Sequence, residues 1–343
     1  MRTEEFYYEL PKELIAQAPA KRRDAAKLMV AKRWGEGLIH STFANLPDFL
    51  QAGDLLVLND SKVLPARLLG RRPDTLGRVE LLLLSPVEGQ TWQVLMKRAK
   101  RVKLGERLIF GQGELMGTVV AKEDEGKGIV EFESCEPLMD AFAKVGQVPL
   151  PPYITRDPFA MDRERYQTVY AKELGSAAAP TAGLHFTKEL LRRIEAKGVG
   201  ITALTLHIGL GTFRPVQTEK IEDHKMHAEF FEISKDCASL INKTKGQGGR
   251  VIAVGTTVAR TLEAVSQTHG KVCQASGWTD IFIYPGYEFK VIDGLITNFH
   301  LPCSTLLMLV CAFGGTKFML DAYQLAVDEK YAFYSYGDGM LII

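Results

Sequence analysis

The sequence has 343 residues, 46% of them hydrophobic and 24% charged, and a formal net charge of +1. These values exclude a disordered chain and predict a globular protein long enough for two domains and a sizeable core. No apolar run reaches membrane-spanning length: the longest candidate, residues 306–313, is far too short. The N-terminus, MRTEEFYYEL, has no cationic region followed by an apolar one, so we expect a cytoplasmic protein.

The cysteines argue against a disulfide framework and against a thiolate zinc site. They are odd in number and scattered, without a CxxC pair. We therefore expect reduced thiols at all five positions: Cys135, Cys237, Cys273, Cys303 and Cys311.

The first sixty residues predict short helices and buried strands. Residues 11–17 carry a helix signal, residues 22–33 are typical of a strand, and residues 46–50 predict a short helix. Residues 55–60, LLVLND, form an apolar run with a polar end. Such a run indicates a buried strand that ends near Asp60.

The character of the chain changes between residues 63 and 148. Short apolar runs are separated there by glycine, proline and charged turns, without helices between them. This pattern predicts a small all-β unit that is closed as a barrel. A cluster of prolines, beginning at Pro149, marks the return from that unit.

After the prolines, signals for helices and strands alternate, which is typical of an α/β domain. We therefore expect an α/β main domain, made of residues 1–62 and 149–343, with an inserted small all-β barrel domain at residues 63–148. Residues 164–174 are amphipathic. The other predicted elements are helices at residues 188–198, 306–313 and 319–331, strands at 201–208 and 280–284, and a strand, turn and helix at 248–265.

Residues 175–187, GSAAAPTAGLHFT, are the most informative segment of the chain. They are small and nearly uncharged, and Pro180 with its neighbouring glycines argues against one unbroken helix. We interpret them as a backbone-rich loop that another molecule can approach closely, with the titratable His185 beside it. A tight buried connector fits the same composition, and the two interpretations remain open.

A second candidate site follows the apolar strand VIAV. There Gly255, Thr256 and Thr257 precede a predicted helix, whose N-terminal amide groups attract carboxylate or phosphate. The segment is neither a full GxGxxG nor a Walker sequence. An ordinary N-capped helix is the alternative interpretation.

Histidines stand at three strand-to-loop junctions. In HIGLGTFRPV, His207 ends a strand, and two glycines separate it from Phe213 and Arg214, a combination that suits a polar and partly anionic ligand. A glycine-shaped turn with a structural arginine explains the same pattern. His185 and His300 occupy similar contexts. Three such junctions together predict a shared cleft.

His224, His227 and Glu229 in HKMHAE resemble a set of metal ligands. Their spacing is not that of the HExxH zinc helix, and no cysteine accompanies them. We favour hydrogen-bonding and acid–base roles for these residues and expect no metal.

The net charge hides a local asymmetry. Residues 61–110 contain 11 Lys and Arg against 4 Asp and Glu, whereas residues 111–140 contain 2 against 8. The densest basic segment is KRAKRVK, residues 97–103, which suits a polyanion such as nucleic acid. A strand edge that charge protects from aggregation is the alternative.

Taken together and in this order, these blocks resemble the S-adenosylmethionine:tRNA ribosyltransferase-isomerase family of queuosine biosynthesis. Gly339 stands where alanine is expected in the last block, and Ala25 and Ala26 replace a more usual serine pairing. The matching segments span nearly the whole chain: residues 10–24, 54–68, 163–171, 175–187, 206–216, 224–234, 251–264, 279–310 and 334–342.

The resemblance implies a transfer of the ribosyl part of S-adenosylmethionine to 7-aminomethyl-7-deazaguanine in tRNA. The product is epoxyqueuosine, and adenine and methionine are released. The target is the wobble base of tRNAs with GUN anticodons, those for Asp, Asn, His and Tyr. The resemblance also implies an α/β domain with an inserted β-barrel, no cofactor because S-adenosylmethionine is consumed as a substrate, and a monomer.

This chemistry requires a base for the ribose carbon next to the sulfonium, an acid for the leaving adenine and an acceptor for the aminomethyl proton. The acid–base candidates are His185, His207, His300, Asp280 and Glu229. The candidates for substrate binding are Asp60, Arg67, Phe186, Phe213, Arg214, Gly255, Thr256 and Thr257. Those for tRNA binding are Lys97, Arg98, Lys100, Arg101 and Lys103.

Two other classes of protein compete with this hypothesis. A non-catalytic RNA-binding protein built on the barrel would have no small-molecule cleft, although the densest motifs lie outside the barrel. An S-adenosylmethionine methyltransferase would require a glycine-rich loop after the first strand, which LLVLNDSK does not provide, and it would release adenosylhomocysteine.

Overall fold

The structure, a computed structural model, describes residues 1–33, 37–209 and 216–343. Its largest feature is a mixed β-sheet. The sheet contains β1 (Lys27–Ala31), β2 (Leu38–Thr42), β3 (Leu55–Asn59), β12 (Gly200–Leu206), β13 (Glu229–Ile233), β14 (Val251–Val254), β15 (Ala275–Thr279), β16 (Gly294–Asn298) and β17 (Gly339–Ile342). Their order across the sheet is β15-β13-β12-β3-β14-β16-β17-β1-β2.

The centre of this sheet is parallel. Strand β3 pairs in parallel with β12 on one side and β14 on the other, and β14 pairs in parallel with β16. Both outer parts contain antiparallel pairs, such as β12 with β13 and β16 with β17. The carboxyl ends of the four parallel strands therefore meet at one edge of the sheet.

A closed barrel is inserted after β3. Its strands are β5 (Arg67–Arg71), β6 (Arg78–Pro86), β7 (Thr91–Met96), β8 (Arg107–Phe110), β9 (Leu115–Lys122) and β10 (Lys127–Glu133), in the antiparallel order β10-β7-β6-β5-β8-β9. Beside it, β4 (Ser61–Val63) pairs in parallel with β11 (Glu173–Ser176). The predicted fold class, an α/β domain with an inserted β-barrel, is confirmed; the domain boundaries at residues 62/63 and 148/149 stay a prediction.

Helices cover both faces of the large sheet. They are α3 (Lys188–Ala196), α4 (Lys235–Gly246), α5 (Thr256–His269), α6 (Thr305–Gly314) and α7 (Thr316–Asp328). Helix α1 (Leu138–Val145) instead packs on the barrel, and α2 (Asp162–Arg165) is a single turn in the segment that follows it. Side-chain hydroxyl groups cap several of them: Thr187 accepts a bond from the Leu190 amide at the start of α3, and Ser304 accepts one from Leu307 at the start of α6.

Buried side chains alternate between two cores because successive residues of a strand point to opposite faces. In β1, Leu28 and Val30 belong to the core beneath α3, whereas Met29 and Ala31 belong to the core that contains α4 to α7. The barrel has its own core, which includes Phe110, Phe132 and Phe142. Each layer thus buries its apolar face against another layer.

Three predicted elements differ from the structure. Residues 11–17 contain only a 3₁₀ turn, Lys12–Leu14, because the next residues bond to the backbone of Phe333 instead of continuing a helix. The amphipathic residues 164–174 are helical only as far as Arg165. Farther along, the amides of Lys172 and Glu173 bond to the Asp60 carbonyl. In both places a tertiary partner takes the backbone groups that a helix would use.

The third difference concerns residues 280–284, which form no strand. Strand β15 ends at Thr279, whose hydroxyl accepts the Ile281 amide, and Arg260 bonds to the Ile281 carbonyl. The apolar residues here are held by side chains and not by a neighbouring strand. The short helix predicted at residues 46–50 is a 3₁₀ helix, Phe43–Phe49.

Gly339 has a steric explanation. A Cβ atom there would lie 2.9 Å from Cζ of Phe43 and 2.9 Å from the carbonyl oxygen of Thr297. Real Cβ atoms do not approach other atoms so closely, so the glycine makes room for the Phe43 ring in the core.

Among the described residues, no single helix is long and apolar enough to cross a membrane. The bent pair α6 and α7, whose axes differ by 116°, passes that test only when the two helices are taken together.

Candidate functional site

A pocket lies at the carboxyl edge of the parallel strands, where ligands bind in open α/β sheets. Strands β14 and β16 and the loop before α3 supply most of its walls. The described residues that line it are Tyr153, Ala179, Pro180, Thr181, Ala182, Ile208, Gly255, Thr256, Thr257, Thr297, Asn298, His300, Leu301, Ser304, Leu306, Tyr334 and Ser335.

The loop at residues 175–187 forms one wall of the pocket. Ala179 to Ala182 line it, and a 3₁₀ helix, Thr181–His185, carries the chain away from it. The hydroxyl of Thr181 donates to Oδ1 of Asn298 at 2.8 Å, which joins the loop to the end of β16. Small side chains keep main-chain groups near the pocket surface, as the composition predicts.

The start of α5 forms the floor beside β14. Gly255 has φ of +97°, a conformation that favours glycine and turns the chain directly from strand to helix. Thr256 and Thr257 follow and line the pocket. The first turn of a helix has amide groups without partners within the helix, so this surface carries a partial positive charge. The sequence prediction for these three residues agrees with their placement.

His300 is the candidate histidine that the structure places in the pocket wall. One of its ring nitrogens, Nε2, is 2.7 Å from Oγ1 of Thr297, and its carbonyl oxygen accepts a hydrogen bond from Tyr8. Burial lowers the pKa of His300 from its ordinary value to about 3. The imidazole is therefore neutral at pH 7, because burial disfavours its protonated form.

His185 lies behind the pocket and not in its lining. Its Nε2 is 3.2 Å from Nδ2 of Asn298, and its ring stacks on Phe43 with centroids 4.1 Å apart. Burial, together with the nearby positive charge of Arg23, lowers the pKa of His185 to about 3. In this arrangement His185 positions Asn298. The sequence suggested instead that His185 acts directly on the substrate.

Asn298 connects three parts of the site. Besides its bonds to Thr181 and His185, its Nδ2 donates to the carbonyl oxygens of Tyr334 at 3.2 Å and Asp338 at 3.4 Å. It therefore ties the small-residue loop to the C-terminal segment. Sequence reasoning named ITNFHLP only for its histidine and missed this residue.

Two tyrosines on the opposite wall were also missed. The rings of Tyr153 and Tyr334 lie 4.3 Å apart between centroids, and the Tyr153 hydroxyl is 2.5 Å from Oγ of Ser335. Tyr334 adopts φ of +73°, which is rare outside glycine and marks strain of the kind found at functional sites. Its buried hydroxyl has no hydrogen-bond partner among the described residues. The YSYGDG block at residues 334–339 was the sequence signal that could have identified Tyr334.

His207 lies next to the pocket, one residue before the lining residue Ile208. Its ring stacks near Phe230, and its buried Nδ1 has no partner among the described residues. Burial lowers the pKa of His207, although the nearby carboxylate of Asp60 opposes the shift. A Cβ on Gly175 would lie only 2.9 Å from the His207 ring, so glycine is required there for close packing.

Asp60 stands at the end of β3 and accepts a hydrogen bond from Oγ1 of Thr205 at 2.7 Å. Burial raises the pKa of Asp60, which weakens its preference for the charged form. Together Asp60 and His207 form a second titratable group beside the main pocket.

Glu229 is committed to a buried ion pair. Its Oε2 is 2.5 Å from NH1 of Arg260, and both side chains are almost fully buried. Its other oxygen accepts the Gly209 amide at 3.0 Å, which holds the turn after His207. The role that this geometry supports is positioning, in place of the proton transfer suggested by the sequence.

Three other candidates among the described residues do not line the pocket. Asp280 is exposed after β15, and Arg67 pairs with Glu80 at 3.0 Å on the barrel. Phe186 is completely buried beside Phe43 in the core beneath α3, so its ring offers no face to adenine, and the suggestion that it stacks on adenine is corrected. Phe213 and Arg214 lie outside the described residues.

The basic segment at residues 97–103 forms an exposed turn after β7 and not a strand edge. Lys97 pairs with Glu80 at 2.9 Å, and a short 3₁₀ helix, Ala99–Arg101, follows. The side chains of the five candidates are exposed: Lys97, Arg98, Lys100, Arg101 and Lys103. Their placement suits contact with a polyanion, which stays a prediction.

No group of three His, Cys, Asp or Glu residues in the described part of the chain is arranged to hold a metal ion. His227 is exposed, whereas Glu229 points to Arg260. The expected absence of a metal stays a prediction.

Comparison with known proteins decides the family. The family model described as "Queuosine biosynthesis protein" matches residues 3–342. The chain belongs to this family. Its resemblance to the family's S-adenosylmethionine:tRNA ribosyltransferase-isomerases is thereby confirmed, as is its assignment as an enzyme of queuosine biosynthesis.

Relatives and a solved structure agree with this family along the full length. The chain is 53% identical over 343 residues to the S-adenosylmethionine:tRNA ribosyltransferase-isomerase of Desulforamulus reducens, and 54% identical over 345 residues to that of Halothermothrix orenii; both alignments cover 100% of each chain. The crystal structure of S-adenosylmethionine tRNA ribosyltransferase from Thermotoga maritima is 37% identical, with a TM-score of 0.58, over 99% of this chain and 100% of that one.

The buried histidines make stability depend on pH. Because the pKa values of His185 and His300 are lowered to about 3 in the folded state, unfolding lets each ring bind a proton below about pH 6.5. We expect the free energy of unfolding to fall as the pH drops from about 6.5 towards 3, by up to about 1.4 kcal/mol per pH unit for each histidine. Urea unfolding at several pH values measures this slope. The slope should decrease in His185→Gln but not in His269→Gln, which changes an exposed histidine; equal slopes in all three proteins would contradict the assignment.

Proposed function

We propose that this enzyme transfers and isomerises the ribosyl part of S-adenosylmethionine onto 7-aminomethyl-7-deazaguanine at the wobble position of tRNA. The products are epoxyqueuosine-tRNA, adenine and methionine. The observation that carries the proposal for the site is the pocket in which the neutral His300 faces the first turn of α5. The tRNAs are those with GUN anticodons, the enzyme acts as a cytoplasmic monomer, and it uses no cofactor.

The methionine end of S-adenosylmethionine is the part that suits the start of α5. Its carboxylate matches the partial positive charge of the amides at Thr256 and Thr257, whereas the Gly255 amide donates to the Ile296 carbonyl. Because Gly255 lacks a side chain, a ligand can approach the backbone there. In this arrangement the sulfonium and ribose extend across the pocket towards His300.

His300 is the proposed base. The ribose carbon next to the sulfonium loses a proton, and the positive sulfur makes that carbon acidic. A neutral imidazole held by Thr297 accepts a proton without first losing one. Burial, which lowers its pKa to about 3, also makes it a weaker base, so the transfer requires the acidity that the sulfonium gives to the ribose carbon. Thr297 fixes one ring nitrogen, and Nδ1 is the other nitrogen available for the transfer.

The adenine and the amine require their own partners. Tyr153 and Tyr334 offer aromatic surface and hydroxyl groups on the wall opposite α5, where an adenine ring is accommodated by stacking. The group formed by Asp60 and His207 is the proposed acceptor for the proton that the aminomethyl nitrogen loses when it attacks the ribose. The exposed cations of residues 97–103 contact the phosphates of tRNA.

The test is adenine release from S-adenosylmethionine. Purified enzyme is incubated with a GUN tRNA that carries 7-aminomethyl-7-deazaguanine, with the same tRNA that carries guanine, and without tRNA. Adenine and methionine should appear in equal amounts, and only with the first tRNA. Release of adenosylhomocysteine would contradict the proposal and indicate methyl transfer, whereas tRNA binding without any release would indicate a binding protein.

A further inference from the structure

In the sequence, the segment at residues 156–165 follows the barrel and precedes the second half of the large sheet. It has no role in the proposed chemistry. It contains Asp162, which is completely buried in a loop that is otherwise largely exposed. Arg156 binds both oxygens of Asp162, at 2.6 and 2.8 Å. The Tyr336 hydroxyl and the Phe159 amide also donate to it, at 2.8 and 2.6 Å. Four bonds to one carboxylate fix the shape of this loop.

The fixed loop displays two large apolar side chains to solvent. Phe159 is 52% exposed and Met161 is 51% exposed. The guanidinium carbon of Arg156 lies 4.0 Å from the centroid of the Phe159 ring, so a cation covers one face of the ring. Because the backbone of Phe159 is bonded to Asp162, the exposure results from an ordered arrangement. A rigid ring with one face supported and the rest exposed is a preformed stacking surface.

Three further arginines belong to this segment or bond to its backbone. Arg165 donates to the carbonyl oxygens of Ala20 and Lys21, and Arg163 donates to that of Ala143. Arg23 likewise donates to carbonyl oxygens, those of Glu164, Leu184 and Arg165. Carbonyl partners orient a guanidinium group without neutralising it. Residues 20–24 and 156–165 together carry six cations and four carboxylates, and Asp162 is occupied by Arg156.

The same segment adjoins the pocket. It follows Tyr153, which lines the pocket, and Asp162 is bonded to Tyr336, the residue after the lining residue Ser335. Arg23 reaches the carbonyl of Leu184, two residues after the lining residue Ala182. The segment is therefore bonded to residues next to the pocket lining.

We propose that Phe159 stacks on an unpaired base of the tRNA anticodon loop next to the target base, while Arg163 and Arg165 contact the adjoining phosphates. This inference rests on the proposed function, which requires the target base to leave the stack of the loop. Aromatic side chains receive unstacked bases in single-stranded RNA, and each such contact contributes about 1 to 3 kcal/mol. An exposed aromatic ring in a segment with an excess of cations has the chemistry of that partner, whereas a purely apolar protein partner would bury Arg163, whose side chain is exposed.

The test compares Phe159→Ala with the unchanged enzyme in binding to an anticodon stem-loop RNA that carries 7-aminomethyl-7-deazaguanine. We expect the Kd for this RNA to rise by about 5- to 150-fold, from the stacking energy above. The Kd for S-adenosylmethionine should stay the same. Phe159→Trp should retain tight RNA binding because it keeps a ring, whereas Phe159→Leu should bind as weakly as the alanine variant. Tyr7→Ala removes another exposed ring, 64% exposed, and should leave RNA binding unchanged.

The phosphate contacts have a separate readout. Arg163→Gln should reduce the slope of log Kd against log salt by about 1, the change expected for one lost phosphate contact. Lys317→Gln, which changes an exposed pair on α7, should leave the slope unchanged. An RNA Kd for Phe159→Ala within twofold of the unchanged enzyme overturns the inference. So does a loss of self-association in sedimentation with unchanged RNA binding, because the ring would then contact a second copy of the chain. If the unchanged enzyme binds the RNA but releases no adenine, the proposed chemistry fails while the binding comparison still decides the role of Phe159.

Discussion

Replacing His300 with alanine is expected to lower kcat for adenine release by about 10²- to 10⁴-fold, the usual contribution of a positioned general base. The reason is its place in the pocket wall as a neutral imidazole, with one ring nitrogen near Oγ1 of Thr297. The Kd for S-adenosylmethionine should change little, because the start of α5 is intact. Single-turnover assays at saturating tRNA separate this loss from a loss of binding.

A second variant separates chemistry from folding. His300→Gln keeps an amide for the bond to Thr297 but has no basic nitrogen, so its kcat should be as low as that of the alanine variant while its stability is closer to that of the unchanged enzyme. His269→Ala, which changes an exposed histidine at the end of α5, should retain full activity. A kcat within threefold of the unchanged value in His300→Gln would exclude His300 as the base.

Replacing Arg260 with methionine is expected to destabilise the fold by about 3 to 5 kcal/mol. The change removes Arg260 as the partner of the buried Glu229 carboxylate, in a pair whose side chains are 4% and 3% exposed. It also removes the bond from Nε of Arg260 to the Ile281 carbonyl. The urea midpoint of unfolding should fall accordingly, without a change in m-value if unfolding stays two-state.

The double variant Glu229→Gln with Arg260→Met distinguishes lost charge pairing from lost packing. Glutamine is uncharged and still offers an oxygen to the Gly209 amide, so the double variant should be more stable than Arg260→Met alone. Lys317→Ala, in the exposed pair with Asp321, should cost less than about 1 kcal/mol. If the Lys317 and Arg260 variants lost equal free energies of unfolding, the buried pair would stabilise the fold no more than the exposed pair does.

The local sequence pattern was sufficient to predict those elements for which several local signals agree. The strand VIAV, the glycine turn and the helix after it occur as predicted, because a buried strand, a position that favours positive φ and a good helix former coincide in sequence. The barrel was predictable for a similar reason, since its strands alternate and are separated by short turns. The residues at the start of α5 were found because a helix terminus is a local feature.

Contacts between distant segments were not predictable in this way. Three histidines stand in similar local contexts, yet His300 lines the pocket, His207 lies beside it, and His185 is stacked on Phe43 behind Asn298. Glu229 carries the same charge as any catalytic carboxylate, but Arg260, which lies 31 residues later, determines what it does.

The sequence by itself determined the family, the fold class and the edge of the sheet where the site lies, because those depend on periodicity, turns and long motifs along the chain. Only the tertiary structure decided which candidate side chains face the pocket. Burial and partners, such as Thr297 for His300 and Arg156 for Asp162, come from segments that folding brings together. The pKa of a group and the exposure of a ring depend on those partners, and no spacing in the sequence specifies them.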